Sequence, residues 1–489
     1  MKIKFLPFIV GLMIIAGALT SCLDSDVEEV DYRPESSITA FSVGTLYRTF
    51  LGKDSLGNDT LFVDSLDLSA YPFAINQLTR EIENKDSLPV GTHIDKVVVN
   101  VTSDTGVTVY TKRTSSSDAG KDTLLTSTDS LDFTLGPIEM KVMTYTGTYG
   151  APYRVKVNVH RQVPDSLQWS RPFERPFVSG PLTRQKAVYS GERLFVFGET
   201  EENAPVVEYM TLGYQFVNTV AVQAEPSAWK RVALPEGADP YSAVATQGTI
   251  FFLVDGALYA MNPADASFAP YATSEGPSRL SRLLAGTADS RSGWLYAVAD
   301  GHSWTCSLAD GRWTDEGVSE LPLADDLRVV SAVVPVDYNR QFVNVVTMSQ
   351  HPVATDSMAV VGTRLTNDAS WRMLQAPVDS LSCPNIVDPT LLYYDEVLYA
   401  FGGEAVNNTY TYAPFTKLFR SSNNGLEWEP VETGSVFPKD NDTFLRHYDP
   451  EAVGGYSCAC DEQSFIWIVW TDGSLTRGRI NRLGFQPKW

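Results

Sequence analysis

The chain has 489 residues, a net charge of −21 and five cysteines. That length exceeds one ordinary hydrophobic core, so at least two domains are expected. The acidic balance, with no basic patch in view, excludes a nucleic-acid partner, and the cysteines are too few for a disulfide-built scaffold.

Lys2 and Lys4 precede an apolar run from Phe5 to Leu19, which is short for a mature membrane span and reads as a signal peptide over residues 1–21. Leu19-Thr20-Ser21-Cys22 then reads as a bacterial lipoprotein cleavage box, so Cys22 is the expected lipidation site and the lipid the link to the membrane. Three acyl chains, each contributing about 0.8 kcal/mol per buried methylene, hold far more firmly than one. Residues 22–32, with Asp24, Asp26, Glu28, Glu29 and Asp31, form an acidic tether too poor in apolar residues to fold. They also resemble the surface-export signal of lipoproteins from Bacteroidales-type bacteria. The expected location is the cell envelope, on the outer membrane, facing the periplasm or the surface.

Residues 33–165 are rich in Ser, Thr, Asp and β-branched residues, and their clearest segments alternate with a period of two. Tyr153, Val155, Val157 and Val159 fall on one strand face, while Arg154, Lys156, Asn158 and His160 fall on the other, as a half-buried antiparallel strand requires. With 94–101, 106–112 and 139–147 as further strands, a small immunoglobulin-like β-sandwich is expected, in architecture only, since the Cys and Trp pattern of antibody domains is absent.

Residues 166–489 carry a repeat of roughly 40 to 60 residues, the range of propeller blades. Six apolar runs align: 193–199, 249–255, 294–300, 343–349, 397–403 and 465–471. Each follows a run rich in small residues (186–191, 241–248, 282–289, 329–337, 390–395 and 451–459), which suits strands crowded around an axis. Each unit closes near a large ring: Trp229, Phe268, Trp313, Trp371, Trp428 and Trp489. Asp255-Gly256, Asp300-Gly301, Asp310-Gly311, Asn424-Gly425 and Asp472-Gly473 mark reversals. The fold class is therefore all-β, a sandwich followed by a six-bladed propeller, with seven blades as the competing count. Trp169 is left over; its segment either belongs to the linker or pairs with the last blade and closes the ring.

Ser421 to Trp428 (SSNNGLEW) resembles the Asp-box of sialidase-type propellers, with Asn423 and Glu427 departing from the acidic and Thr positions. The resemblance implies a structural turn between the third and fourth strands of a blade and no glycosidic chemistry. VLYAFGGE (397–404) is the most kelch-like blade motif. Taken with the cleavage box and the expected sandwich, the chain resembles an uncharacterised family of Bacteroidales-type lipoproteins, in which an immunoglobulin-like domain precedes a kelch-like or galactose-oxidase-like propeller. That resemblance implies fold and location and adds no reaction.

No catalytic residue is assigned, and no cofactor or metal is expected. A galactose-oxidase copper site needs two histidines and two tyrosines, one bonded to cysteine, whereas His302, His351 and His447 are spread over different blades without ligand spacing. Cys458 and Cys460 put two sulfurs on one strand face, a pair read as packing; whether any of Cys306, Cys383, Cys458 and Cys460 pair is open. The best loop candidate for binding is 438–451, with Asp440, Asp442, His447, Tyr448 and Asp449, whose oxygens suit calcium or, as paired carboxylates, a sugar bond. The EF-hand order of ligands is absent, so a solvated inter-blade loop is its plainer reading.

Asp-Ser-Leu, Asp-Thr-Leu or Asp-Ser-Met occurs nine times and resembles the O-glycosylation acceptor of Bacteroidales-type envelope proteins. The hydroxyls are Ser55, Thr60, Ser65, Ser87, Thr123, Ser130, Ser166, Ser357 and Ser380. Three function classes follow: a non-catalytic module that binds a glycan or an envelope protein at the propeller face, a glycoside hydrolase or lyase at the same mouth, and a structural subunit of an outer-membrane complex. The first is the expectation.

Overall fold

A computed structural model describes residues 36–484, apart from 57, 105–106, 112–119, 145–146, 218–219, 224, 322–326, 354–355, 433–436 and 439–444. Cys22, its tether and the expected signal peptide lie outside the described residues, as do Asp440, Asp442 and Trp489. The chain divides into two compact units, 1–163 and 164–489. No helix among the described residues is long and apolar enough to cross a membrane.

The first unit is built from a three-stranded sheet, a six-stranded sheet and a two-stranded hairpin. Alternation works as read: Tyr153, Val155 and Val157 are buried and Arg154 is exposed. One core takes side chains from both larger sheets, with Phe41, Val97 and Val99 from the three-stranded sheet and Ile82, Val142 and Val155 from the six-stranded one. The strand Tyr153–Lys156 departs from its expected pairing. It runs antiparallel to Ile138–Met143 on one side and parallel to Glu81–Asn84 on the other, so this sheet is mixed. Alternation reports which face is buried and is blind to the direction of the neighbour.

The second unit contains, among the described residues, six four-stranded antiparallel sheets. Their first strands are Thr183–Ser190, Ala238–Thr246, Arg282–Ala288, Val330–Pro335, Thr390–Tyr394 and Ser457–Cys460. Each adjoins the first strand of the next sheet, and the sixth adjoins the first, so the six form a closed cycle. The second strands, such as Arg193–Glu199 and Val343–Ser349, are apolar on both faces because they are packed between neighbouring sheets. Separate hydrophobic clusters fill the gaps, with Trp229, Trp313, Trp371 and Trp428 buried in them.

The sixth sheet takes its fourth strand from the start of the unit. Leu167, Gln168 and Trp169 pair antiparallel with Ile480, Arg479 and Gly478, closing the ring by hydrogen bonds between residues over 300 positions apart. Trp169 stacks on Phe437 at 5.3 Å and is the large ring of that outer strand. The sixth inner strand is shorter than the run 451–459 implied. Gly454 adopts φ +57 and its N–H donates to the Asp388 carboxylate at 2.8 Å, so 451–456 turns before the strand begins.

The turn 421–428 lies between the third and fourth strands of the fifth sheet. Asn423 Oδ1 accepts from the Glu427 N–H at 2.9 Å and the Ser421 hydroxyl at 3.0 Å, and its amide donates back to Glu427 at 2.9 Å. The two departures from the Asp-box pattern thus complement each other. Asn424 and Gly425 take φ +61 and +93, and the Trp428 indole N–H donates to the Gly425 carbonyl at 2.9 Å.

Candidate functional site

Where the six inner strands meet they enclose a cavity of about 260 Å³ to which every one of them contributes lining. The small residues read as an axial signature are there, including Ala187, Ala243, Ala245, Gly286 and Ser457. A side chain at Gly286 would press within 3.3 Å of Ala245 and Thr246 of the neighbouring inner strand. Among the described residues, the charged groups of the lining are two cations, Lys186 and Arg328, and no Asp, Glu or His contributes.

Arg328 sits two residues ahead of the fourth inner strand and is only 4% exposed. Its Nη1 donates to the carbonyls of Gln185 at 3.3 Å and Tyr456 at 2.6 Å; its Nη2 donates to those of Asp388 and of Pro389 at 3.1 Å. These carbonyls belong to the leading ends of the first, sixth and fifth inner strands. The guanidinium is planar and carries five donors, so one side chain ties four sheets. It lies over the Tyr456 ring at 4.9 Å, and its Nε, buried, has no partner among the described residues.

Lys186 donates to the Tyr241 carbonyl at 2.8 Å. Burial pushes its amine down to about 7; Asp239 opposes that shift, and Arg328 and Arg282 add to it. Around it, Arg184 bridges Glu199 at 3.1 Å and Asp239 at 3.3 Å and stacks over Tyr241 at 4.6 Å. Tyr241 is 6% exposed, its hydroxyl is without a partner among the described residues, and burial raises its phenol. Gly454 closes this wall: a Cβ there would run into the Tyr241 hydroxyl.

Of the five residues singled out in the loop 438–451, three are described, and they diverge. His447 is held by Asp472 at 2.7 Å, and Asp449 is exposed and accepts the Glu451 N–H at 3.0 Å. Tyr448 turns inward among Phe415, Tyr456 and Trp470, where burial, followed by the nearby Asp388, pushes its phenol up to about 12. No group of three or more His, Cys, Asp or Glu suited to a metal occurs among the described residues. His302 pairs with Asp315 at 2.9 Å within the third sheet, and His351 with Asp356 at 3.6 Å in a loop of the fourth. Cys306, Cys383, Cys458 and Cys460 are free thiols, the last two in the cavity wall; burial raises all four, which keeps them protonated and poorly nucleophilic. None of the nine hydroxyls in the Asp-Ser/Thr triplets is buried.

Residues 163–488 match the DUF6242 beta propeller domain, and residues 41–157 match the N-terminal domain of unknown function DUF6242. The chain belongs to the DUF6242 family. The closed cycle of sheets is its β-propeller, and the cavity lies on the propeller axis. No curated protein matches the chain. Among solved structures, the extracellular domain of BT4673 from B. thetaiotaomicron is similar at 11% identity and a TM-score of 0.32, covering 63% of this chain and 40% of that one. AofleA from Arthrobotrys oligospora matches at 9% identity and a TM-score of 0.35, covering 64% and 86%. The alpha-L-arabinanase of Penicillium chrysogenum, complexed with arabinobiose, matches at 10% identity and a TM-score of 0.35, covering 64% and 98%. The chain thus spans 40% of the BT4673 domain's length.

The axial cations of the DUF6242 propeller were not assigned from sequence. Their signal was a charged residue just ahead of, or at the start of, the inner runs: Arg184 and Lys186, Asp239, Arg282, Arg328 and Asp388. One such residue reads as a solvated turn; only the closed ring brings all of them to one end of the axis.

Proposed function

We propose that this protein is a lipid-anchored component of the cell envelope, tethered through Cys22 and residues 22–32 to the outer membrane, and that its kelch-like propeller is a non-catalytic binding module for a glycan or an envelope protein. On this reading residues 33–165 are an immunoglobulin-like sandwich acting as a spacer, and the six sheets of 166–489 are six blades. The supporting observation is the chemistry of the axis: lining from every inner strand, two cations, and no carboxylate or imidazole in the lining. Glycoside hydrolysis needs two carboxyl groups flanking the bond, and binding needs none. Some of the nine surface triplets, Ser55 and Thr60 among them, carry O-linked sugar on this reading.

The purified protein, screened against a panel of host and dietary glycans and by pull-down from envelope extracts, is expected to retain a glycan or a defined protein without consuming it. Release of shortened sugars would establish the hydrolase or lyase reading instead. A specific observation favours a third role, as a subunit of an outer-membrane complex: in the hairpin Tyr47–Lys53 and Asp59–Ser65, Leu61 and Val63 are 67% and 64% exposed. Stable co-purification of a membrane partner that is lost when Leu61 and Val63 are changed to Ser would support that role.

A further inference from the structure

We propose that the axial cavity of the propeller is a binding site for a small organic carboxylate with an apolar body, its head on Lys186 and Arg328 and its body against the inner-strand wall. This goes beyond the reading of the propeller face, because it concerns the interior of the ring and holds whichever macromolecule the face engages.

The cavity has two chemically different parts. One end carries the Lys186 amine and the Arg328 guanidinium. An ammonium has three donors, of which one is used on the Tyr241 carbonyl. Arg328 spends four donors on backbone carbonyls and keeps its buried Nε unpartnered among the described residues. Carbonyls satisfy hydrogen bonding and leave the positive charge in place. The Asp388 carboxylate, outside the lining, offsets part of that charge; the lining itself holds no carboxylate, and Val188, Val244, Val330, Val333 and Leu391 form its apolar part.

Below about pH 7, where the Lys186 amine is protonated, two cations in a partly desolvated cavity strengthen every electrostatic contact an incoming anion makes. A carboxylate takes a charge-assisted hydrogen bond from Lys186 Nζ and lies beside the Arg328 charge, and an attached aliphatic or aromatic body gains from burial along the wall. A neutral isostere gains only the second term. An inorganic anion gains only the first and leaves apolar surface uncovered. Asp239 lies outside the lining and is already engaged by Arg184, so it does not neutralise the cavity from within.

The test is calorimetric titration of the purified protein with benzoate, benzamide and sulfate. Benzoate is expected to bind at one site per chain, at least about tenfold tighter than benzamide, the ratio one charge-assisted hydrogen bond supplies. Lys186→Met should lose at least tenfold in benzoate affinity and little in benzamide affinity, and Lys186→Arg should recover most of the loss. Ser331→Phe, which fills the cavity and leaves both cations in place, should abolish benzoate binding; far-UV circular dichroism and melting confirm that each variant folds. Equal affinity for benzoate and benzamide, equal affinity for sulfate and benzoate, no saturable binding, or an unaffected Lys186→Met variant would each overturn the proposal.

Discussion

Both units bury an arginine against a tyrosine ring, and they use it differently. In the first unit Arg80 lies 4.6 Å over Tyr153, donates to that tyrosine's hydroxyl and reaches the Ser36 carbonyl at 3.5 Å. The Tyr153 hydroxyl also accepts from the Ile38 N–H at 3.1 Å and donates to Gln77 at 2.5 Å, so the arginine is one of several ties in a filled core. In the second unit Arg328 lies over Tyr456, fastens carbonyls of three other sheets, and borders a cavity. Arg364 is a third version: it lies 4.9 Å over Tyr296 and is answered by the buried Glu316 carboxylate. All four hydrogen bonds of Arg328 go to carbonyls, and the Asp388 carboxylate acts on it without an ion pair, so on our proposal part of its charge is left for an anion at the axis.

Removing the ring's central tie should show the difference most strongly. Arg328→Met orphans up to four buried carbonyls at about 1–3 kcal/mol each, so we expect the propeller to lose about 4–6 kcal/mol or fail to close. All ten tryptophans lie in 164–489, so urea unfolding followed by their fluorescence reports on this unit. Arg80→Met should cost about 2 kcal/mol, seen in the far-UV circular dichroism of the first unit, because the Tyr153 hydroxyl keeps other partners. Equal losses would erase the distinction between the two arginines.

Breaking the answered pair comes next. Glu316→Ala strands the Arg364 charge in the interior and should cost about 3–5 kcal/mol in the same fluorescence assay. A loss below about 1 kcal/mol would mean that water reaches the pair. Asn423→Ala removes the centre of the turn at 421–428 and should cost about 1–2 kcal/mol, read as a lowered melting temperature; an unchanged melting temperature would show that Gly425 and Trp428 hold the turn unaided.

Lys186 gives the smallest effect and sharpens the comparison through pH. Its amine sits near 7 in the folded protein against 10.5 when free, so the folded state disfavours its charged form. Between those values the unfolded chain binds the extra proton, and stability therefore rises with pH. The usable window is about pH 7 to 8.5, because Cys306 and Cys460, held near 12 in the fold against 9.0 when free, reverse the trend above it. Over that window the rise should be about 1 kcal/mol in the wild type and flat in Lys186→Met. A slope that survives the substitution would belong to another group.

The second strands of the propeller were legible because burial on both faces leaves a continuous apolar run; 193–199 and 343–349 coincide with the observed strands. The turn at 421–428 was readable from a local motif, and ring closure through Leu167–Trp169 was one of two readings of a surplus aromatic segment. The reversal at Asp395-Glu396 was not. Both residues take positive φ, 54 and 65, without the glycine or asparagine that advertises such a turn. The axial site was illegible for a different reason: its charges come from separate repeats, and each alone looks like a solvated residue ahead of a strand. The loop 438–451 looked richer because its residues are adjacent in sequence, yet its described side chains point to different places.

Diffraction from crystals equilibrated with 4-bromobenzoate would locate an occupant of the ring without assuming where it goes. Anomalous scattering should place bromine among the apolar residues of the inner strands, with the carboxylate within hydrogen-bonding distance of Lys186 Nζ and on the side of the cavity that Arg328 lines. An empty axis beside a well-occupied site elsewhere on the surface would contradict a cationic binding cavity at the centre of the propeller.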